Sequence, residues 1–242
     1  MGPMVPDYGP NIVINTKNPL YILSTGKQQT HNIENCFELK DGRIIVTVSY
    51  QYILVYNLLN PRLIDIKIDC ANLKISSLFN ILQLDDGTII FSGCSPHISL
   101  VQLESKSFKI INTINMDLYL RPCHVNACCK LSNGQLVFSL YSGYASIALF
   151  GYDANAKNLI YYYIFAFGGY SISKILECKN NELLFLQGEL IFFNLKEQKE
   201  VLTIKRENGP CDAIKLNENF VIFDNSENIE IINLDDILFI EK

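Results

Sequence analysis

One short phrase, written five times along 242 residues, limits what this chain can become. Leu39-Lys40-Asp41-Gly42-Arg43-Ile44-Ile45-Val46 returns as Leu84-Asp85-Asp86-Gly87-Thr88-Ile89-Ile90-Phe91, and again as Leu131-Ser132-Asn133-Gly134-Gln135-Leu136-Val137-Phe138. Weaker copies open at Cys178 and Leu216, so the steps from Leu39 are 45, 47, 47 and 38 residues. Asp-Gly and Asn-Gly are the dipeptides of a two-residue type I′ turn, which needs positive φ at both central positions. The last two copies place Asn180-Asn181 and Glu218-Asn219 there, and Asn tolerates the left-handed region next best after Gly. Each phrase therefore predicts a β-hairpin, and the array predicts a repeat architecture of short strands.

Each hairpin is extended by two further strands. The strand before the turn (Asn35–Leu39 and its copies) reads as a nearly continuous apolar run and is placed innermost, with both faces covered. A third strand follows (Ile53–Leu58, Ile98–Leu103, Ile147–Tyr152, Leu190–Leu195, Ile229–Leu234) and a fourth closes the unit, ending with a brief Ile237–Ile240. Four antiparallel strands repeated in this way make an all-β fold, a β-propeller of four-stranded blades. The single domain spans residues 1–242, with blades at 32–68, 76–116, 124–167, 172–205 and 211–240. Residues 1–31 hold a half-blade, Ile12-Val13-Ile14 and Leu20-Tyr21-Ile22-Leu23. Unclosed end blades would expose sheet faces and edges. The favoured closure is a five-bladed ring in which the N-terminal strands complete the last blade. The alternative is a sixth blade completed by a partner chain.

The last two columns of the third strand hold Tyr56-Asn57, Val101-Gln102, Phe150-Gly151, Phe193-Asn194 and Ile232-Asn233. A bulky apolar residue before a small or polar one, over residues 32–240, resembles a degenerate WD-repeat propeller. The Trp-Asp dipeptide never appears, the chain has no Trp, and the family's Gly-His pair and structural Asp are missing. That resemblance implies a propeller scaffold whose blades, lacking the family's hydrogen-bond network, cohere mainly by packing.

Composition excludes several functions. With 49% apolar and 19% charged residues the chain buries a core rather than staying disordered. A net charge of −5, with no basic run, argues against a nucleic-acid partner. No apolar stretch reaches the length of a membrane span, and Met1–Pro6 is expected to be neither a secretion leader nor a myristoylation signal. Of the eight cysteines, Cys36, Cys128, Cys129 and Cys178 stand in columns that other repeats fill with aliphatic residues. They are read as free, buried core fillers, which fits a reducing, cytoplasmic setting.

Reactive groups do not converge. Glu34, Glu38, Glu177 and Asp212 lie near innermost strands at different depths and form no carboxylate pair of the kind a glycosidase requires. Cys123-His124 and Cys128-Cys129 look superficially like a zinc cluster, but adjacent strand residues point to opposite faces. No catalytic residue, metal or cofactor is expected, and the chain is read as not an enzyme. What remains is surface. Tyr50, His97, Tyr119, Arg121, Tyr141, Tyr144 and Tyr170 fall in loops at one end of the repeat, and Tyr and Arg are enriched in binding hot spots. Leu159–Phe167 lacks the polar alternation of an outer strand, which brings Tyr161 and Tyr163 forward as contacts to a partner or neighbouring subunit. The reading is a non-catalytic protein–protein interaction scaffold, a possible subunit of a larger complex. The alternatives are a small-ligand or glycan-binding propeller and, behind it, a propeller glycosidase.

Overall fold

The computed structural model describes residues 12–15, 20–23, 33–48, 51–58, 64–120, 123–178, 182–205, 212–215, 217, 219–224 and 229–234. Side chains are described from residue 35 onward, Asp224 excepted. The fold is all-β: five antiparallel blades set in a ring, a five-bladed β-propeller. A short hairpin, β1 (Ile12–Asn15) and β2 (Leu20–Leu23), pairs with itself. The first blade is β3 (Ile33–Glu38), β4 (Arg43–Val48), β5 (Tyr52–Asn57) and β6 (Ile64–Asp69). The second is β7 (Leu78–Gln83), β8 (Ile89–Gly93), β9 (His97–Leu103) and β10 (Phe108–Asn115). The third is β11 (His124–Lys130), β12 (Leu136–Tyr141), β13 (Ala145–Asp153) and β14 (Asn158–Ala166). The fourth is β15 (Lys174–Glu177), β16 (Glu182–Leu186), β17 (Leu190–Asn194) and β18 (Lys199–Ile204). In the fifth, β19 (Asp212–Lys215), β20 (Phe220–Asp224) and β21 (Ile229–Asn233) are described, and the expected Ile237–Ile240 strand lies outside the described residues.

The phrase that drives the hairpins folds differently from the two-residue turn its dipeptides predict. Leu39 N–H donates to Arg43 O (2.8 Å) and Gly42 N–H to Leu39 O (2.9 Å), which encloses three residues. The second and third repeats form the same pair of bonds. Gly42, Gly87 and Gly134 have φ near +85°, while the preceding Asp or Asn is not in the left-handed region. This is a type I turn followed by a glycine bulge. The acid serves another purpose: Asp41, Asp86 and Asn133 each accept the backbone N–H two residues on, at 2.9–3.0 Å.

Burial also corrects the expected profile. The second and third strands of each of the first four blades are the covered ones, with Ile45, Ile90, Phe91, Val137, Phe138, Leu184 and Phe185 of the second strands at 0% exposure. The first strands meet one another around the axis, β7 and β15 each flanking β11, and are half-exposed because they form the inner edge of each sheet. Cys36, expected to be buried, is exposed, whereas Cys70, Cys123 and Cys178 are buried. All seven described cysteines are free.

Blade registers line up. One cross-strand row runs Phe37–Ile45–Val55, Leu82–Ile90–Leu100, Cys129–Val137–Leu149, Leu176–Leu184–Phe192 and Ile214–Ile222–Ile231 through the five sheets. In the first four blades this row packs on the sheet that follows, forming four inter-blade cores. Polar staples reinforce them, so cohesion does not rest on packing alone. Lys40 N–H donates to Gln83 Oε1 (2.8 Å), and Ser132 N–H, one repeat pair later, donates to Glu177 Oε2 (2.7 Å). Gln83 and Glu177 share one column of the innermost strand. Where that column holds Lys, the direction reverses: Lys130 donates to Asp85 and Lys215 to Cys178 O. At the outer turns Arg43 reaches Glu104 O at 2.7 Å, and Asp86 takes hydrogen bonds from Tyr152 (2.9 Å) and Lys157.

Candidate functional site

The connection from second to third blade is built to present an aromatic ring. Asn115 caps a 3-10 turn, Met116–Leu118, by accepting Asp117 N–H at 3.0 Å. Met116 is fully buried, and its N–H donates to Pro96 O in the neighbouring loop (2.7 Å). The first blade repeats the device: Asp69 caps Cys70–Leu73, and Cys70 N–H donates to Gln51 O (2.8 Å). A turn pinned at both ends fixes the direction of the next side chain, Tyr119.

Tyr119 stacks on Tyr161 of β14, ring centroids 4.5 Å apart and 17° from parallel. Both rings stand edge-on to Phe150, at 5.8 and 5.5 Å, and Phe150 stands edge-on to the buried Phe138 at 5.6 Å. Four aromatic rings thus form a ladder from core to rim, and offset or edge contacts of this kind add stability beyond area burial. The outer two rungs stay wet: Tyr119 and Tyr161 are each 37% exposed. Leu118, next to Tyr119 in the turn, and Ile160 and Tyr162, either side of Tyr161 in the strand, are exposed as well.

The strand that supplies Tyr161 explains its own odd composition. A bulge between Leu149 and Phe150 pairs Leu149 with Tyr163 and Phe150 with Tyr161, leaving Tyr162 as the extra residue. A bulge re-aims side chains. Tyr163 and Phe165 turn toward the fourth blade, where Phe165 stacks on Phe193 at 5.4 Å. Tyr162 instead lies over Gly151, whose missing Cβ would fall 2.4 Å from the Tyr162 hydroxyl. The all-apolar run is therefore split between two faces and a rim.

The remaining sequence-selected residues are dispersed. Tyr141 ends β12 half-buried, Tyr144 is exposed in the following turn, and Tyr170 is 80% exposed between the third and fourth blades. Tyr170 is held through its backbone, its carbonyl accepting from Gln187 Nε2. His97 opens β9, and its Nδ1 is buried without a hydrogen-bond partner among the described residues. Burial, helped by the Lys74 charge, lowers its pKa, so the imidazole is neutral at pH 7. Burial raises the Tyr163 hydroxyl, and this ring lines a cleft of about 230 Å³ with Gln135, Leu149, Leu195 and Lys196. Tyr50 and Arg121 lie outside the described residues. The structure thus joins Tyr119 to Tyr161, 42 positions apart, and leaves the others as separate features of one end. Leu118 was invisible to sequence reasoning, since a lone leucine in a capped turn carries no signal.

Two of the four acids near the innermost strands have structural partners. Glu177 accepts from the Ser132 N–H and hydroxyl, and Asp212 pairs with Lys174 at 2.5 Å. Burial drives the Cys70, Cys123, Cys128 and Cys178 thiols up to about 12 and Cys129 to about 11, so they stay protonated at neutral pH. Among the described residues no group of three or more His, Cys, Asp or Glu side chains could hold a metal ion. Nor, among them, is any helix long and apolar enough to cross a membrane.

No protein-family model matches this sequence, and no curated protein does. Solved structures do match in shape. Sqt1 of Saccharomyces cerevisiae superposes with a TM-score of 0.63 at 14% identity, over 92% of this chain and 65% of that one. Sqt1 of Chaetomium thermophilum, solved bound to the N-terminus of the ribosomal protein L10, gives 0.62 at 13% identity, over 90% and 62%. The chain spans just under two thirds of the length of either. At these identities the likeness establishes the fold, a β-propeller, independently of the repeat spacing.

Proposed function

We propose that this chain is a WD-repeat-like propeller acting as a non-catalytic protein-interaction scaffold in the cytoplasm. The observation that carries the reading is the exposed Tyr119–Tyr161 stack, fixed on a rigid aromatic ladder beside the exposed Leu118 of the same turn. Rigid aromatic anchors with apolar flanks and a polar hydroxyl tip are what protein interfaces use as hot spots. A similarly shaped propeller, Sqt1, has been solved holding a peptide segment of another protein, which supports a protein partner here. The free, neutral thiols suit a reducing compartment.

The test compares the chain with its Tyr119→Ser/Tyr161→Ser variant in affinity capture from native lysate, read by quantitative mass spectrometry. The reading expects a small set of proteins enriched on the first and depleted on the second, while circular dichroism of the two stays the same. Equal capture by both proteins would remove this surface from the proposal.

A further inference from the structure

The seams between blades share one plan at the hairpin-turn end, and one residue of that plan varies. Two positions beyond Phe150, β13 carries Tyr152. Its register equivalents are Leu103 at the end of β9 and Leu195 just past β17. Each of the three joins the core shared with the preceding blade. In the second seam Tyr152 reaches across to the preceding turn, where its hydroxyl meets Asp86 (2.9 Å) and Thr88 (3.0 Å).

The first seam has matching receiving positions but no ring. Asp41 and Arg43 stand in the columns of Asp86 and Thr88, while Leu103 lacks the ring and hydroxyl that Tyr152 carries. A cleft of about 340 Å³ lies there, bounded by Leu39, Ile89 and Leu103 on its apolar side and by Asp41, Arg43 and Asp86 on its polar side. Leu39 and Ile89 are buried. The third seam, where the column again holds a leucine, Leu195, has a smaller cleft of about 230 Å³. Leucine in this column thus coincides with open space in both seams.

The polar wall of the first cleft is ready for a donor. Asp41 Oδ1 accepts the Arg43 N–H at 3.0 Å, and Oδ2 accepts from the Arg43 guanidinium at 2.7–2.9 Å. The hydrogen bond from the Arg43 side chain holds the Asp41 carboxyl below the usual carboxylate range, so it is ionised at neutral pH. A carboxylate oxygen has room for a second donor. Asp86 Oδ2 demonstrates it one seam later, taking the Tyr152 hydroxyl and the Lys157 ammonium together. Small-molecule pockets begin near 300 Å³, so the cleft suits a single ring and is too small for a peptide segment with its flanking residues.

We propose that the seam between the first and second blades binds a small phenol, whose ring takes the place that the Tyr152 ring takes in the next seam and whose hydroxyl donates to Asp41. This site is separate from the Tyr119–Tyr161 stack and does not depend on it.

Nuclear magnetic resonance titration of the isotope-labelled full chain with p-cresol tests it. The expected result is saturable shifts at the Gly42, Gly87 and Leu103 amides, with a dissociation constant on the order of 1 mM. Toluene, which has the ring without the hydroxyl, should bind about fivefold more weakly. Leu103→Tyr supplies the ring from the chain itself, and it should abolish the saturable shifts and raise the urea midpoint. Asp41→Asn keeps the turn, as Asn133 does in the third repeat, and should bring the two ligands to within about twofold of each other. Tyr161→Ser serves as the control and should leave binding unchanged. Toluene binding as tightly as p-cresol, p-cresol binding that survives Leu103→Tyr, or a lowered urea midpoint in that variant overturns the proposal. A cleft that ignores p-cresol and takes only a tyrosine-bearing peptide overturns it equally, since the occupant would then be a partner's side chain.

Discussion

Replacing Asp86 with asparagine isolates the electrostatic part of an inter-blade staple. Burial pushes the Asp86 carboxyl up, but hydrogen bonds from Lys157, the Thr88 N–H and hydroxyl, and Tyr152 outweigh it and hold the group at about 2, against an ordinary 3.8. Lys157 and Tyr152 belong to the next blade. A depression of nearly two units corresponds to a ceiling of about 2.5 kcal/mol. Solvent reaches this site, with Asp86 and Lys157 side chains 22% and 28% exposed, so screening reduces the expected effect to about 1 kcal/mol. Asparagine leaves the turn intact, because Asn133 makes the equivalent bond to Gln135 N–H in the third repeat. The sign follows from the depressed folded value. The contribution is full above the unfolded value near 4 and is lost as pH falls from there toward about 2. Urea denaturation of both proteins at pH 7 and at descending pH should show wild type ahead by about 1 kcal/mol at neutrality, with the gap closing in acid. A difference that is zero at pH 7, or constant with pH, would refute the staple.

Other consequences are open to measurement. Phe150→Ala removes the middle rung of the aromatic ladder and should cost about 3–5 kcal/mol in chemical denaturation; a loss under 1 kcal/mol would mean the rings are not packed as described. A double-mutant cycle on Tyr119 and Tyr161 should return a coupling of about 0.5–1.5 kcal/mol, and strict additivity would contradict the stack. Gly134→Ala, forced to hold φ at +85°, should destabilise by about 1 kcal/mol, whereas an unchanged midpoint would argue against the glycine bulge. Native-state alkylation at pH 7 should label exposed Cys36 and partly exposed Cys94 first and spare Cys70, Cys123 and Cys178. Rapid labelling of the buried three without unfolding would show that the core is not closed.

The repeat phrase made the architecture legible because its information is local. A turn signal flanked by β-branched residues specifies a hairpin, and regular spacing specifies the array. The turn class was missed because Asp-Gly and Asn-Gly suit both a two-residue turn and a type I turn ending in a glycine bulge. Only the Leu39–Arg43 bond separates the two. Placing full burial on the innermost strand failed because apolar composition does not say which strand borders the channel. The staples hid for a different reason. Gln83, Lys130, Glu177 and Lys215 differ in charge, so no pattern marks their shared column until backbone donors and carboxylates appear beside them. Of the candidate surface, the overly apolar strand around Tyr161 could be read directly. Its pairing with Tyr119 required the capped turn and the bulge, both tertiary facts.

Hydrogen–deuterium exchange read by peptide mass spectrometry tests the central claim, that five sheets repeat with one register. Protection should peak in five bands, Arg43–Val48 with Tyr52–Asn57, Ile89–Gly93 with His97–Leu103, Leu136–Tyr141 with Ala145–Asp153, Glu182–Leu186 with Leu190–Asn194, and Phe220–Asp224, because these strands are hydrogen-bonded on both sides. Fast-exchanging turns at Gly42, Gly87 and Gly134 should precede the first three of them. Slow exchange centred on the turns, or a single protected block without this spacing, would contradict the propeller.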